Sequence, residues 1–162
     1  MNAPLKHSAL EADAFRNTLS KFATGVCVVT AAGQDGPIGI TINSFASVSM
    51  DPPLVLWSIK KDGGRRAAFE VAEFCAIHIL HEGQSDLCKS FVKDAGAFEP
   101  GRYTIDANGV PVLTDVLARL DCKLNKTVDG GDHVIFLLEV QSVTNDAGRP
   151  LVFFDSGFCG VG

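Results

Sequence analysis

Long apolar runs are missing from this 162-residue chain. None approaches the roughly 20 residues a helix needs to cross a bilayer. Positive charge is scarce as well. Lys and Arg number 14 against 19 Asp and Glu, for a net charge of −5, which excludes a general nucleic-acid binder working through a basic surface. Met1 to Ser8 holds no apolar stretch of the kind a secretory signal carries. The five cysteines are an odd number with no C-x-x-C pair, so a disulfide framework is not expected, and reduced, mostly buried cytoplasmic thiols are. No two Cys or His residues show zinc-ligand spacing, and no metal site is expected. His78 and His81 are three apart, but a strand position for His78 makes the pair diverge, so both read as structural. A Rossmann fingerprint, a Walker loop, a G-x-S-x-G elbow and H-E-x-x-H are all absent.

What is present is 46% hydrophobic and 20% charged, the composition of one soluble globular domain spanning 1–162. Ser8-Ala9-Leu10-Glu11 has the form of a capping box, and Leu10, Ala14, Thr18 and Phe22 recur at helical spacing. A first helix is expected from about Ala9 to Phe22. "VCVVTA" (26–31) and "PIGITIN" (37–43) flank the turn "GQDG" and form a hairpin. Gly39 inside the return strand marks a close approach of another backbone or a ligand. "LVLWSI" (54–59), "CAIHIL" (75–80), "LDCKLNKTV" (120–128), "HVIFLLEVQSV" (133–143) and "LVFF" (151–154) read as further strands. "AAFEVAEF" (67–74) and "QSDLCKSFV" (84–92) read as short helices, and 93–114 as loop. Short reversals between six or seven strands make an antiparallel barrel or sandwich with short flanking helices. "VIFLL" is apolar at consecutive positions, so a second subunit is expected over its outer face.

Three stretches carry possible chemistry. "GITINSFASVSMDPP" (39–53) gathers Thr41, Asn43, Ser44, Ser47 and Ser49. These short donors and acceptors suit the polar edge of a flat heteroaromatic ring, or else cap the backbone locally. "KKDGGRR" (60–66) crowds four cations around two glycines. It is either a phosphate nest backed by a following helix or a solvated turn. "GGDH" places His133 at the start of a strand, as a turn residue or a functional one.

Together and in this order, these pieces resemble the flavin-reductase-like family, the short-chain NAD(P)H:flavin oxidoreductases that serve two-component flavin monooxygenases. The matching residues are "FRNTLSKFATGVCVVT", "GITINSFASVSMDPPLVL", "FCAIHIL", "LDCKL", "GDHVIFLLEV" and "PLVFF". The resemblance implies a mainly β fold, a Greek-key split β-barrel of the FMN-binding type, forming a homodimer. It implies FMN or FAD as cofactor and NADH or NADPH as co-substrate, with a flavin-dependent oxygenase component as partner. By the same resemblance Thr41, Asn43, Ser44, Ser47 and Ser49 line the isoalloxazine, and Lys60 and Arg66 hold the phosphate. Phe91, Lys93 and Phe158 touch the flavin, and His133 stands near the nicotinamide. The sequence departs from the family pattern in two places: Leu138 stands where Gly is common, and Gly and Arg replace Ser or Thr in the phosphate region. The alternative is a split barrel that binds a flavin or small ligand without turnover.

Overall fold

The computed structural model describes residues 10–162. Helix α1 (Ala12–Leu19) is shorter than its periodicity suggests. Glu11 is extended at its start, and the N–H groups of Lys21 and Phe22 turn back to Thr18 and Leu19, three residues earlier. Such bonds tighten a last turn and stop the helix. The expected capping box pairs Ser8 with Glu11, and Ser8 lies outside the described residues.

Two residues, β1 (Thr24–Gly25), lead into β2 (Cys27–Gly33) and β3 (Gly36–Ile42). The latter two pair as the expected hairpin, Gly33 opposite Gly36. Next come β4 (Ala46–Met50), β5 (Pro53–Lys60), α2 (Arg66–Val71), β6 (Phe74–Ile79) and α3 (Ser85–Lys93). Two short strands, β7 (Tyr103–Ile105) and β8 (Pro111–Leu113), precede the long hairpin β9 (Ala118–Gly130) and β10 (His133–Asn145). The chain closes with β11 (Val152–Phe154) and β12 (Gly157–Cys159). No helix among the described residues is long and apolar enough to cross a membrane.

The main sheet has seven strands in the order β3-β2-β6-β9-β10-β5-β4, every neighbour antiparallel. The mainly β expectation with few short helices holds. Its edges, β3 and β4, share no ladder among the described residues, so hydrogen bonds do not close the sheet into a barrel.

Two segments differ from the sequence reading. The stretch 93–114, expected to be loop, contains the β7–β8 hairpin. Its turn is held by Asp106, whose Oδ1 accepts the N–H groups of Asn108 and Val110. Three-residue strands are too short to show a period. Residues 46–50, not read as a strand, form edge strand β4, where a bulge separates Ser47 from Ser49.

The principal core lies on one face of the sheet. Trp57 stacks on Phe136 at 4.7 Å and meets Phe69 edge-on at 5.1 Å, the geometries aromatic quadrupoles favour. Leu120, Cys122 and Leu124 point inward from β9 as their alternation requires. Leu138 is buried in the same cluster. A second cluster seats α3 on the opposite face of β2 through Phe91, Cys88 and Val28. Strand β2 is therefore apolar on both faces.

Candidate functional site

Seven residues of β3 run along the mouth of the sheet, and the chain then bends at Asn43 to Phe45. Between this bend, the end of β5 and the start of β10 lies a cavity of about 360 Å³. Its walls are apolar where Ile40, Ile42 and Ile59 face it, and polar at Thr41, Asn43, Ser44, Lys60, Gly64 and His133. Lys60 and His133 are brought together by register, directly opposite each other on β5 and β10. A second cavity of about 210 Å³ shares Thr41, Ile42 and Asn43 and is lined across the gap by Val92, Phe153 and Phe158.

The hydroxyls are less free than their spacing suggests. Ser44 Oγ donates to the Ser58 carbonyl at 3.2 Å and accepts the Ser58 N–H at 3.0 Å. It continues the β4–β5 ladder where β4's own backbone has turned away. Thr41 Oγ1 donates to the Cys88 carbonyl at 2.7 Å and ties β3 to α3. The Asn43 side-chain amide has no hydrogen-bond partner among the described residues, and its residue is exposed.

The bend after β5 is ordered by its own bonds. Gly63 N–H is spent on the Lys60 carbonyl at 3.1 Å, and Lys61 N–H on Asp132 at 2.9 Å. The N–H groups of Gly64 and Arg65 find no acceptor among the described residues. Lys60 makes no ion pair there either, whereas Lys61 is bound to Asp129 and holds its carboxyl below the usual range.

Arg66 turns away to Glu70 at 3.5 Å. Arg65, which sequence reasoning passed over, lines the cavity instead. Its guanidinium donates to Gly39 O at 3.2 Å, to Val92 O at 3.1 Å and to Phe91 O. The last two are carbonyls at the C-terminal end of α3, where a cation satisfies orphan acceptors and the helix dipole. Periodicity separates neither arginine from the other, because a loop residue's direction is set by what it packs on.

Phe91 is fully buried and lies behind β3. A Cβ on Gly39 would stand 2.5 Å from its ring, so the close approach at that glycine is made by a side chain and not by the backbone or ligand expected. Lys93 is exposed at the end of α3 and lines neither cavity.

His133 Nδ1 lies 2.7 Å from Asp132 Oδ1. Donation of its proton leaves Nε2 as an acceptor, and the bond holds the Asp132 carboxyl below the usual range. His78 contrasts with it. Leu113 N–H donates to its Nε2 at 3.0 Å, so Nδ1 carries the proton and donates to Val28 O at 3.0 Å. Burial pushes its pKa down to about 4. His78 is a core residue with both nitrogens satisfied, as expected. No group of three metal-ligating side chains occurs among the described residues.

The sequence pattern of the flavin reductase-like domain matches residues 19–162. The chain belongs to the flavin reductase-like family. The NADH-dependent FMN reductase SmoA of Agrobacterium fabrum is 46% identical over 144 residues, covering 89% of this chain and 83% of that protein. HsaB, the reductase subunit of a flavin-dependent monooxygenase in Rhodococcus jostii, is 34% identical, with 94% and 80% covered. Among solved structures, the NADH:FAD oxidoreductase SgcE6 of Streptomyces globisporus, in complex with NAD and FAD fragments, superposes with a TM-score of 0.86 at 32% identity, each chain covered to 92%.

Proposed function

We propose that the chain is an NAD(P)H-dependent flavin reductase whose flavin occupies the cavity between β3, β5 and β10. The observation that carries this reading is the set of unspent polar groups around an apolar slot. These are the Asn43 amide, the Lys60 ammonium and the N–H groups of Gly64 and Arg65. Desolvating such groups without a partner costs free energy, and a flat ring with a polar edge and an anionic tail supplies the partners. The family relationship supports the same conclusion.

Bound flavin supplies an acceptor for hydride from a reduced nicotinamide. Ile40, Ile42 and Ile59 give the slot its apolar walls and exclude water. Asn43 pairs with the polar edge. Thr41 and Ser44, committed to backbone carbonyls, hold the shape of the rim more than they bind. Lys60 and the N–H groups of the bend receive the phosphate. His133, its Nδ1 proton held by Asp132, presents Nε2 toward the nicotinamide and orients it. Catalysis by such a site is chiefly alignment at reactive distance, with fixed dipoles opposite developing charge.

The reduced product is passed to a separate flavin-dependent oxygenase, so retention cannot be tight; a micromolar Kd, about 8 kcal/mol, permits exchange. The fold is read as one Greek-key split barrel. Strands β3 and β4 are opposite edges of the main sheet, yet only Asn43, Ser44 and Phe45 join them, and so short a span requires the sheet to curl round on itself. A homodimer is proposed from helix α1 and the turn that follows it, where Phe15, Leu19 and Phe22 are 48%, 57% and 76% exposed in the single chain. Four buried free cysteines support a cytoplasmic setting.

Stopped-flow oxidation of NADH and NADPH with FMN and FAD added separately tests the activity. Flavin-dependent oxidation is expected, and His133→Ala is expected to slow hydride transfer or raise the KM for NADH. Flavin binding without NAD(P)H oxidation would leave the non-catalytic binder in place of the reductase.

A further inference from the structure

The bend after β5 is fastened at its two ends. At its start, Lys61 N–H donates to Asp132 O at 2.9 Å and the Lys61 ammonium meets Asp129, both in the β9–β10 turn. Between the ends stand two glycines. Gly63 N–H donates to Lys60 O at 3.1 Å, and Arg66 N–H to Gly63 O at 3.2 Å. Gly64 meets no atom within 4 Å where a Cβ would stand, so no packing on that side holds its peptide in place. At its end, the bend is held by the Arg65 side chain.

The guanidinium reaches two other elements. Its Nη1 donates to Gly39 O at 3.2 Å and to Phe91 O, and its Nη2 to Val92 O at 3.1 Å. Gly39 belongs to β3 and sends its own N–H to Ala95 O at 2.8 Å, just past the end of α3. Phe91 and Val92 lie in the last turn of α3, where carbonyls have no partner within the helix. A planar guanidinium presents its donors in a fixed fork and can serve several such acceptors at once. One side chain therefore joins strand, helix and bend at the edge of the flavin cavity.

We infer that Arg65 is a positioning residue of the flavin site. It acts through the main chain: the guanidinium fixes the bend, and the fixed bend holds the N–H groups of Gly64 and Arg65 where a phosphate receives them. The glycines make the anchor necessary, because glycine loses more conformational freedom on ordering than any other residue. A bend ordered before the ligand arrives removes that loss from binding. The inference rests on the flavin-reductase reading of the first cavity and assigns to it a residue that need not touch the flavin.

The test uses the full chain and Arg65→Lys, with melting temperatures recorded. Lys keeps the charge, but one ammonium on a flexible stem does not reproduce a fork that spans β3 and α3. FMN and riboflavin, which has no phosphate, are titrated by flavin fluorescence. Arg65→Lys is expected to weaken FMN by about tenfold and to leave riboflavin within about twofold. NMR relaxation of the ligand-free proteins is expected to show a Gly64 amide as ordered as β5 in the parent and mobile in Arg65→Lys. A mobile Gly64 amide in the ligand-free parent overturns the inference without any variant. So does FMN affinity within about twofold of the parent in Arg65→Lys, because charge alone then suffices. Equal losses for FMN and riboflavin overturn it too, since Arg65 then supports the whole cavity. A loss of FMN with Gly64 still ordered assigns direct pairing with the phosphate in place of positioning. Each of these outcomes leaves the flavin site standing, whereas a parent chain that binds neither FMN nor riboflavin overturns both.

Discussion

The two faces of strand β3 solve opposite problems. Behind it, the α3 side is finished without any ligand. Phe91 fills the space over Gly39, and Thr41 and Arg65 satisfy carbonyls of α3. Farther along the same side of the sheet, His78 spends both ring nitrogens and Thr30 donates to the Pro111 carbonyl. In front of it, Asn43, Lys60 and the N–H groups of Gly64 and Arg65 are left without protein partners. Asn43, Lys60 and Gly64 are exposed in the single chain, so water serves these groups until a ligand with complementary polar atoms replaces it. On the closed face β3 and the bend at Arg65 are both tied to α3 by hydrogen bonds.

The contrast can be broken most forcefully at Phe91. Phe91→Ala removes a fully buried ring and is expected to cost ~3–5 kcal/mol, read as a lowered denaturation midpoint. A loss below 1 kcal/mol would mean the closed face is not what holds β3.

His78 makes the comparison testable by pH. Its pKa falls from an ordinary 6.5 to about 4 on burial, so the unfolded chain binds the proton more readily. Stability contributed by the neutral ring is fully present above pH 6.5 and is lost as pH falls toward 4, by on the order of 3 kcal/mol. His78→Gln should flatten the dependence of unfolding free energy on pH in that window. An unchanged slope would assign it to other groups.

Lys60 sharpens the open side. Lys60→Ala is expected to weaken FMN by about tenfold, roughly 1.4 kcal/mol, while leaving riboflavin, which has no phosphate, unaffected. Equal losses for the two ligands would place the ammonium away from the phosphate. The smallest effect is expected at Arg66. Its partner Glu70 is one helical turn away on a partly exposed surface, so Arg66→Ala should change stability by ~0.5 kcal/mol or less. It should leave FMN affinity within about twofold, because the residue does not line the cavity.

Much of the fold was legible because its signals are local. The β2–β3 hairpin was announced by "GQDG" between β-branched runs, and β9 by strict alternation from Leu120 to Leu124. Gly39 was recognised as a point of contact because a glycine within a strand has few other reasons to be there. The β7–β8 hairpin was not legible: its strands are too short for a period, and its stabilising contacts are long-range. Strand β4 was hidden for a related cause. A Ser-rich edge strand with a bulge has neither the composition nor the alternation of a core strand, and its pairing is supplied by β5.

The candidate site divides in the same way. Asn43, Lys60 and His133 were identifiable as chemical types at meaningful places, and the structure brings them to one cavity. Which of two adjacent arginines faces that cavity was not identifiable. Nor was the commitment of Ser44 and Thr41 to backbone groups 14 and 47 residues away.

By itself, the amino-acid order determined which segments become strands, where the chain reverses, and which residues have the chemistry to meet a polar ring and its phosphate. Those properties follow from backbone sterics and side-chain type within a few residues. Only the tertiary structure decided which hydroxyls are already spent and that Arg65 and not Arg66 turns inward. Those outcomes depend on contacts between segments distant in the chain, and a hydrogen bond made to one partner is no longer available to another.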